Sequence, residues 1–174
     1  LRGADREAFG SFGAAQADVA NELHAWLEGR GVPLILCPTE YCDRFATPTV
    51  EQSPYLNDLG RTLAPGVDVY WTGPEIVSKT VPLDAVRRFA RVLQRPPVLW
   101  DNLHANDYDH RRLYLGPYAG RDAALLGELR GVISNPNVEL PANHVPLHTT
   151  AAWLRGEDDV GAALAAAIDA WLPS

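Results

Sequence analysis

Four short apolar segments, each followed directly by polar residues, constrain the fold of this chain more than any other feature of its sequence. The first segment is apolar without alternation, which is typical of a strand covered on both faces, and we predict that the other three are short buried strands as well. Stretches with helical periodicity separate the segments, so the pattern predicts a helix followed by four strand–helix units. The predicted strands are residues 33–37, 67–71, 97–100 and 131–134.

The predicted helices are defined by apolar residues at spacings of three, four and seven. The strongest pattern covers residues 5–27, and another covers residues 158–172, for which Asp158 is the predicted cap. Their predicted apolar stripes are Phe9, Phe12, Val19, Leu23 and Trp26 or Leu27 in the first helix, and Val160, Leu164, Ile168 and Trp171 in the last. Shorter patterns cover residues 54–63, 82–93, 121–129 and 150–154.

Strands that alternate with helices form a parallel sheet with right-handed crossovers. A small doubly wound sheet and part of a (β/α)8 barrel both fit this order. Polar and aromatic groups follow all four predicted strands, whereas a doubly wound sheet concentrates its ligand groups at one switch point. We therefore predict an α/β fold in which residues 1–154 form the C-terminal half of a (β/α)8 TIM barrel and residues 155–174 a closing helix.

A half-barrel alone would leave two strand edges and an apolar interior uncovered, which favours aggregation. Eight strand–helix units also need about 250 residues, and this chain has 174. We therefore expect the N-terminal half of the same barrel as a partner. Because the chain contains no methionine and begins at Leu1, we expect its start to result from cleavage, trimming or truncation.

The composition argues against several classes of protein. Fifteen Lys and Arg residues against 22 Asp and Glu residues give a formal charge of −7, so a basic face for nucleic acid is not expected. No apolar run of about 18 residues is available to cross a bilayer, so no membrane partner is expected. Cys37 and Cys42 lack the spacing of a zinc or redox pair, and they slightly favour a reducing, cytoplasmic location.

The densest group of chemically active residues follows the third predicted strand, at residues 100–109. A sugar needs an aromatic platform for its ring face and fixed carboxylate or amide groups for its hydroxyls. Trp100, Asn102 and Asp107 supply these groups, so a sugar site is our preferred interpretation. A loop whose side chains only satisfy their own turns is one alternative, and a metal site is another. The candidate metal ligands are Asp101, His104, Asp107 and Asp109.

His144 and His148 have the i, i+4 spacing of a helical metal pair. Pro146 lies between them and disfavours the helix that would align them, so we predict a loop with a packing role. The sequence contains no Gly-rich phosphate loop, nucleophile elbow or dinucleotide fingerprint. These absences argue against a nucleotide-binding protein and against a serine hydrolase, the classes that carry these motifs.

Five motifs in this order resemble those of one enzyme family. They are Cys-Pro-Thr-Glu-Tyr-Cys (37–42), Trp-Thr-Gly-Pro (71–74), Trp-Asp-Asn-x-His-Ala-Asn-Asp-Tyr-Asp (100–109), Arg-Leu-Tyr-Leu-Gly-Pro-Tyr (112–118) and Asn-Pro-Asn (135–137). Over residues 5–153 the chain resembles glycoside hydrolase family 84, the O-GlcNAcase and bacterial β-N-acetylglucosaminidase (hyaluronidase-like) family. The resemblance implies a (β/α)8 catalytic barrel, no cofactor, and a glycoprotein or glycan substrate that bears N-acetylglucosamine.

The resemblance also implies roles around the 2-acetamido group and beneath the sugar. Tyr41 corresponds to the family tyrosine that contacts the acetamido group, and Cys37 to a cysteine that lines the pocket for its methyl group. Thr72 borders the same pocket. Trp100 corresponds to the tryptophan beneath the sugar ring. These four residues are therefore expected at one end of the site.

Three further residues are implied at the sugar hydroxyls. Asn102 corresponds to an asparagine that helps to position the sugar and the carboxylate that directs its acetamido group. Asp107 and Asn137 correspond to the pair that holds the O4 and O6 hydroxyls, while Asp101 adjoins the site without an assigned role. Together with the acetamido residues, they predict a nearly complete sugar-binding wall.

The catalytic residues of the family are an adjacent Asp-Asp pair, which the resemblance places before Leu1. The implied reaction removes β-linked N-acetylglucosamine with retention, an exception to the usual two-carboxylate scheme. One Asp orients the acetamido group, whose oxygen attacks the anomeric carbon to give an oxazoline, and the other acts first as acid and then as base. A non-catalytic N-acetylglucosamine-binding module and a metal-dependent α/β hydrolase are the alternative functions.

Overall fold

The computed structural model describes residues 4–109, 111–157 and 159–172. Two helices precede the sheet, one helix connects each of the first two strand pairs, and two helices follow the last strand. The helices are α1 (Ala4–Phe9), α2 (Phe12–Glu28), α3 (Pro54–Thr62), α4 (Leu83–Leu93), α5 (His144–Leu154) and α6 (Val160–Trp171). The strands are β1 (Leu34–Leu36), β2 (Val67–Trp71), β3 (Val98–Asp101) and β4 (Gly131–Ser134). Short 3-10 segments cover Asp43–Phe45, Ala123–Gly127 and Leu140–Asn143.

The four strands form one parallel sheet in the order β1-β2-β3-β4. Each strand therefore pairs with the next one along the chain. A doubly wound sheet reverses its strand order at a switch point, whereas a barrel keeps sequential order all the way round. The sheet accordingly has the topology of half of a (β/α)8 barrel.

The two faces of the sheet have different surroundings. Along β2, Val67, Val69 and Trp71 are fully buried, while Asp68 and Tyr70 between them are only partly covered. Trp71 stacks on Phe89 of α4 with 5.3 Å between ring centroids, which shows that α4 covers the buried face. Burial of each such side chain contributes about 1.5–3 kcal/mol to folding. The opposite face, on which Tyr70 lies, is the one that a complete barrel would enclose.

The edge strands are less buried than the sequence predicts. All residues of β1 and β4 are partly exposed, although their apolar runs predict strands covered on both faces. Coverage of an edge strand requires a neighbour on its open side, and the described residues supply neighbours only on one side of each. The prediction of burial on both faces is therefore correct for most of β3, whereas β2 is fully buried on one face only and the prediction is wrong for the edge strands β1 and β4.

The first predicted helix is two helices in the structure. Gly10, with φ of +72°, separates them, and the Ser11 hydroxyl caps α2 by accepting a hydrogen bond from Ala14 N. The predicted apolar stripe faces outward, with Val19 65% and Trp26 56% exposed. Small residues are buried instead, namely Gly13, Ala15, Ala17 and Ala20. They are buried because α2 packs closely on α3, where a Cβ on Gly13 would lie 2.4 Å from the Tyr55 carbonyl oxygen.

Three other helix predictions need correction. Within residues 121–129 only Ala123–Gly127 is helical, as a 3-10 segment that the Asp122 side chain caps. Helix α5 begins at His144 rather than at residue 150, because Pro146 lies in its first turn, where no intrahelical N–H is required. In α6, Ala167 is buried while the predicted stripe is mostly exposed. The predicted cap Asp158 lies outside the described residues, and Asp159 caps α6 by accepting from Ala162 N.

No helix in the described parts of the chain is long and apolar enough to cross a membrane.

Helix α6 packs on α5 through His144, whose ring lies 5.7 Å from that of Trp171. His144 Nε2 is also within hydrogen-bond distance of the Ala167 carbonyl oxygen, at 3.0 Å. The boundary predicted at residue 154, between the half-barrel and a closing helix, stays a prediction.

Candidate active site

A pocket of about 210 Å³ opens at the carboxyl ends of the strands, on the sheet face opposite α4. Segments at or after the ends of all four strands contribute to it. Its lining residues are Cys37, Tyr41, Tyr70, Thr72, Ile76, Trp100, Asn102 and Asn135. In a parallel barrel this end of the sheet is where ligand-binding side chains gather.

Two aromatic rings form one wall of the pocket. The Trp100 ring on β3 and the Tyr70 ring on β2 meet edge to face, with centroids 5.0 Å apart and an interplanar angle of 79°. Because Tyr70 pairs with Val98 in the sheet register and side chains alternate along a strand, Tyr70 and Trp100 lie on the same face. Tyr70 therefore holds the Trp100 ring in place as an apolar platform.

Cys37, Tyr41 and Thr72 line the pocket near the ends of β1 and β2. The Thr72 backbone N–H donates to the Tyr41 carbonyl at 2.8 Å, and the Thr72 hydroxyl donates to the Glu75 carbonyl at 2.8 Å. Desolvation raises the pKa of the Cys37 thiol and that of the Tyr41 phenol. Both groups are therefore protonated at neutral pH and can act as hydrogen-bond donors.

Asp43 anchors the loop that carries Tyr41. Its carboxylate accepts from Trp71 Nε1 at 3.0 Å and from Arg88 Nη2 at 2.6 Å. Burial raises the pKa of Asp43, while the bonds from Arg88 and Trp71 act in the opposite direction. The Asp43 backbone N–H also donates to the Gly73 carbonyl at 3.2 Å. The position of Tyr41 is thereby tied to the end of β2.

An amide pair forms the polar wall of the pocket. Asn102 Nδ2 donates to the Ile76 carbonyl at 2.7 Å, and Asn102 Oδ1 accepts from Asn135 Nδ2 at 3.0 Å. Asn102 is buried, and the Asn135 backbone N–H donates to the Asp101 carbonyl at 2.8 Å. Each amide therefore fixes the orientation of the other at the ends of β3 and β4.

Asn135 and Tyr70 are pocket residues that the sequence analysis did not identify. The register pairs Asp101 with Ser134, so the residues that follow them, Asn102 and Asn135, lie side by side. This pairing is visible in the sequence once the strand ends are aligned. Tyr70 could have been found from the alternation of side chains within β2, which places it on the same face as Thr72.

Five of the seven predicted binding residues line this pocket, and Asp107 and Asn137 do not. Asp107 is exposed on the loop after β3. Asn137 is buried, and its Oδ1 accepts from Tyr114 N at 2.9 Å while its Nδ2 donates to the Tyr114 carbonyl at 3.1 Å. The Asn137 side chain thus holds the loop that contains Tyr114. The sugar contacts predicted for Asp107 and Asn137 stay predictions.

The candidate metal ligands do not converge. Among the residues that the structure describes, no group of three or more His, Cys, Asp or Glu side chains could hold a metal ion. Asp101 forms a buried ion pair with Arg121, and His104 Nε2 is 3.1 Å from the Gly116 carbonyl oxygen. Burial lowers the pKa of His104, so this ring is neutral at neutral pH. Both side chains are therefore used within the fold.

His144 and His148 lie on one face of α5, with ring centroids 6.0 Å apart. The prediction that they lie in a loop is wrong, because Pro146 is accommodated in the first turn of the helix. His144 contacts α6 through Ala167 and Trp171. His144 therefore lies at the packing interface between the two C-terminal helices, and His148 stacks on it from the same helix.

Comparisons with known proteins identify the family that this chain resembles. The family model described as beta-N-acetylglucosaminidase matches residues 2–170. Protein O-GlcNAcase of Rattus norvegicus and that of Mus musculus are each 49% identical to this chain over 152 residues. That match covers 87% of this chain and 16% of each relative. The chain therefore spans about one-sixth of the length of these curated relatives.

Solved structures show the same fold. A mutant of the Thermobaculum terrenum O-GlcNAc hydrolase is 30% identical with a TM-score of 0.89, over 99% of this chain and 37% of that one. The structure named CpGH84B is 27% identical with a TM-score of 0.80, over 91% of this chain and 29% of that one. These similarities confirm the predicted half-barrel, and the chain belongs to glycoside hydrolase family 84, the β-N-acetylglucosaminidase family.

Proposed function

We propose that this chain supplies the sugar-binding wall of a β-N-acetylglucosaminidase, which removes β-linked N-acetylglucosamine from a glycoprotein or glycan. The observation that carries this proposal is the pocket at the strand ends. There an aromatic platform, Trp100 on Tyr70, adjoins the fixed amide pair of Asn102 and Asn135. An apolar ring face and a rim of hydroxyls require this combination of groups. Membership of the family gives the class of sugar.

The proposed orientation of the sugar follows from the lining. The ring lies on Trp100, and its 2-acetamido group points toward Cys37, Tyr41 and Thr72. The protonated Tyr41 phenol can donate a hydrogen bond to that group, and the exposed Cys37 thiol offers a weakly polar surface for its methyl. The acetamido end therefore lies toward β1, and the hydroxyls lie toward β4.

At the hydroxyl end we propose Asn102 and Asn135 as the fixed sugar contacts. Among the described residues Asn135 Oδ1 has no hydrogen-bond partner, so it can accept from a hydroxyl. Asp107, an exposed carboxylate after β3, approaches the same hydroxyls from the loop. Asn137 acts by holding the Tyr114 loop, since its amide is already hydrogen-bonded there.

The proposed chemistry is retaining and substrate-assisted, with an oxazoline intermediate. Its two catalytic aspartates would be supplied by the N-terminal half of the barrel, on the strand that precedes α1. The outward stripe of α2 and the open edges of β1 and β4 are the surfaces which that half would cover. This chain then binds and orients the sugar, and the other half carries out proton transfer.

Hydrolysis assays of the complete protein test this proposal. Two aryl β-glycosides that differ only at C2 are compared, one with an acetamido group and one with a hydroxyl. We expect turnover of the N-acetyl-β-glucosaminide and none of the β-glucoside, because only the former can form the oxazoline. Equal turnover of both would contradict substrate assistance. Binding of N-acetylglucosamine without turnover would favour the non-catalytic module instead.

A further inference from the structure

Arg121 is a buried arginine whose hydrogen-bonding capacity is completely used. A guanidinium has five N–H donors in a planar fork. Nε and one Nη2 hydrogen donate to the two oxygens of Asp101, each at 2.7 Å. The other three donate to the carbonyls of Ser78, Lys79 and Ala119 at 2.7–2.9 Å. The side chains of Arg121 and Asp101 are each 1% exposed.

These bonds join the loop after β2 to the end of β3, beside the pocket. Ser78 and Lys79 lie in the loop between β2 and α4, and Asp101 is the last residue of β3. Asp101 Oδ1 also accepts from Leu103 N at 2.9 Å, and Asp101 Oδ2 accepts from Tyr118 OH at 2.7 Å. Burial and the neighbouring Asp101 charge raise the pKa of Tyr118, so its phenol stays protonated as a donor. The carboxylate is therefore fixed by four bonds.

The connection reaches the sugar pocket through Asn102. Asp101 holds the backbone on both sides of this residue, at its own position and through Leu103 N. The Asn102 side chain then bridges Ile76, in the loop that Arg121 binds, to Asn135 after β4. A change in the guanidinium would therefore alter the spacing between Ile76 and Asn102, which are both pocket residues.

We propose that the Arg121–Asp101 pair is a positioning element that sets the geometry of Asn102 in the sugar pocket. The pair lies behind the pocket and does not line it, so it acts through Asn102 and the loop after β2. The effect on catalysis rests on the proposed function, whereas the effect on Asn102 does not. An arginine is required because its planar fork reaches two carboxylate oxygens and three carbonyls at once.

Arg95 provides a matched control at the other end of the sheet. It also binds backbone carbonyls through its guanidinium, at Leu63, Ala64, Val67 and Leu93, over 2.7–3.0 Å. Val67 is the first residue of β2, so this arginine lies at the amino ends of the strands. Replacement of either arginine by lysine keeps the charge and removes the fork. A purely structural role would give the two variants the same phenotype.

The experiment compares Arg121→Lys and Arg95→Lys in the complete protein, below the Tm of both variants. The first readout is the side-chain amide resonances of Asn102 and Asn135, recorded with 15N-labelled asparagine. The second is kcat and KM for an aryl N-acetyl-β-glucosaminide. We expect Arg121→Lys to shift both pairs of resonances and to lower kcat/KM at least tenfold, and we expect Arg95→Lys to lower Tm without either change.

Unshifted Asn102 resonances in a folded Arg121→Lys protein would overturn the proposal. So would equal changes of resonances or kinetics in the two variants, because both would then report loss of stability alone. If the wild type shows no turnover, the proposed function fails, but the resonance comparison still decides the positioning role. Should Arg121→Lys not fold, Asp101→Asn is measured in the same way, since it keeps the shape of the carboxylate.

Discussion

The carboxyl and amino ends of the strands use the same device for different purposes. At the amino ends, Arg95 binds loop carbonyls beside the apolar core that includes Leu93. At the carboxyl ends, Arg121 binds loop carbonyls and also a buried carboxylate, next to an open pocket. Stabilising residues in barrels collect at the amino end and functional ones at the carboxyl end. A buried charge pair beside the pocket thus contributes to geometry as well as to stability.

The largest effect is expected for Asp101→Ala, which leaves the buried Arg121 guanidinium without its counter-charge. Loss of one partner of a buried ion pair costs about 3–5 kcal/mol. Urea unfolding of the wild type and the variant measures this difference. A loss of unfolding free energy below about 1 kcal/mol would mean that water solvates the unpaired Arg121 guanidinium. The carboxyl ends of the strands would then tolerate substitution as well as the amino ends do.

Trp100→Ala tests the platform at the carboxyl ends. Removal of the ring takes away its stacking with the sugar and also its edge-to-face contact with Tyr70, an aromatic pair worth about 0.5–1.5 kcal/mol. Because substrate and transition state both lie on the ring, KM should rise about tenfold while kcat changes little. Steady-state kinetics with the aryl N-acetyl-β-glucosaminide provides the measurement. An unchanged KM would remove Trp100 from the site.

Asn135→Ala and Asn137→Ala sharpen the comparison within the carboxyl ends. Replacement of the pocket residue Asn135 should raise KM, because the loss of a hydrogen bond to a sugar hydroxyl costs about 1 kcal/mol. Asn137 holds the Tyr114 loop, so its replacement should lower the free energy of unfolding by about 1–3 kcal/mol. Kinetics and urea unfolding of both variants separate the two roles. The reverse pattern would return Asn137 to the sugar contacts.

The smallest effect concerns pH. Burial lowers the pKa of His104, so the folded state binds its proton less readily than the unfolded chain does. The contribution of neutral His104 is complete above about pH 6.5 and is lost as pH falls toward the folded pKa. The stability advantage of the wild type over His104→Gln should therefore narrow between pH 7.5 and 5.5. If the difference in unfolding free energy between the wild type and His104→Gln stayed constant over this pH range, the lowered pKa of His104 would not be the cause.

The sequence predicts the fold and most of the pocket because apolar runs and strand-end polar groups are local signals. The sequence fails to predict burial where the packing of one element on another decides which residues are covered. In α2 the large residues Val19 and Trp26 face outward while Gly13 is buried against Tyr55, and periodicity alone cannot tell which stripe packs. The place of Asn135 in the pocket was not predicted because it depends on the register between β3 and β4, a pairing of distant segments.

The most direct test of the central claim is a crystal structure of the complete protein with N-acetylglucosamine bound. We expect the sugar ring on Trp100, its acetamido group beside Cys37, Tyr41 and Thr72, and its hydroxyls near Asn102 and Asn135. A sugar bound away from the carboxyl ends of β1–β4 would overturn the proposed site. So would a sugar in this pocket with its acetamido group toward β4.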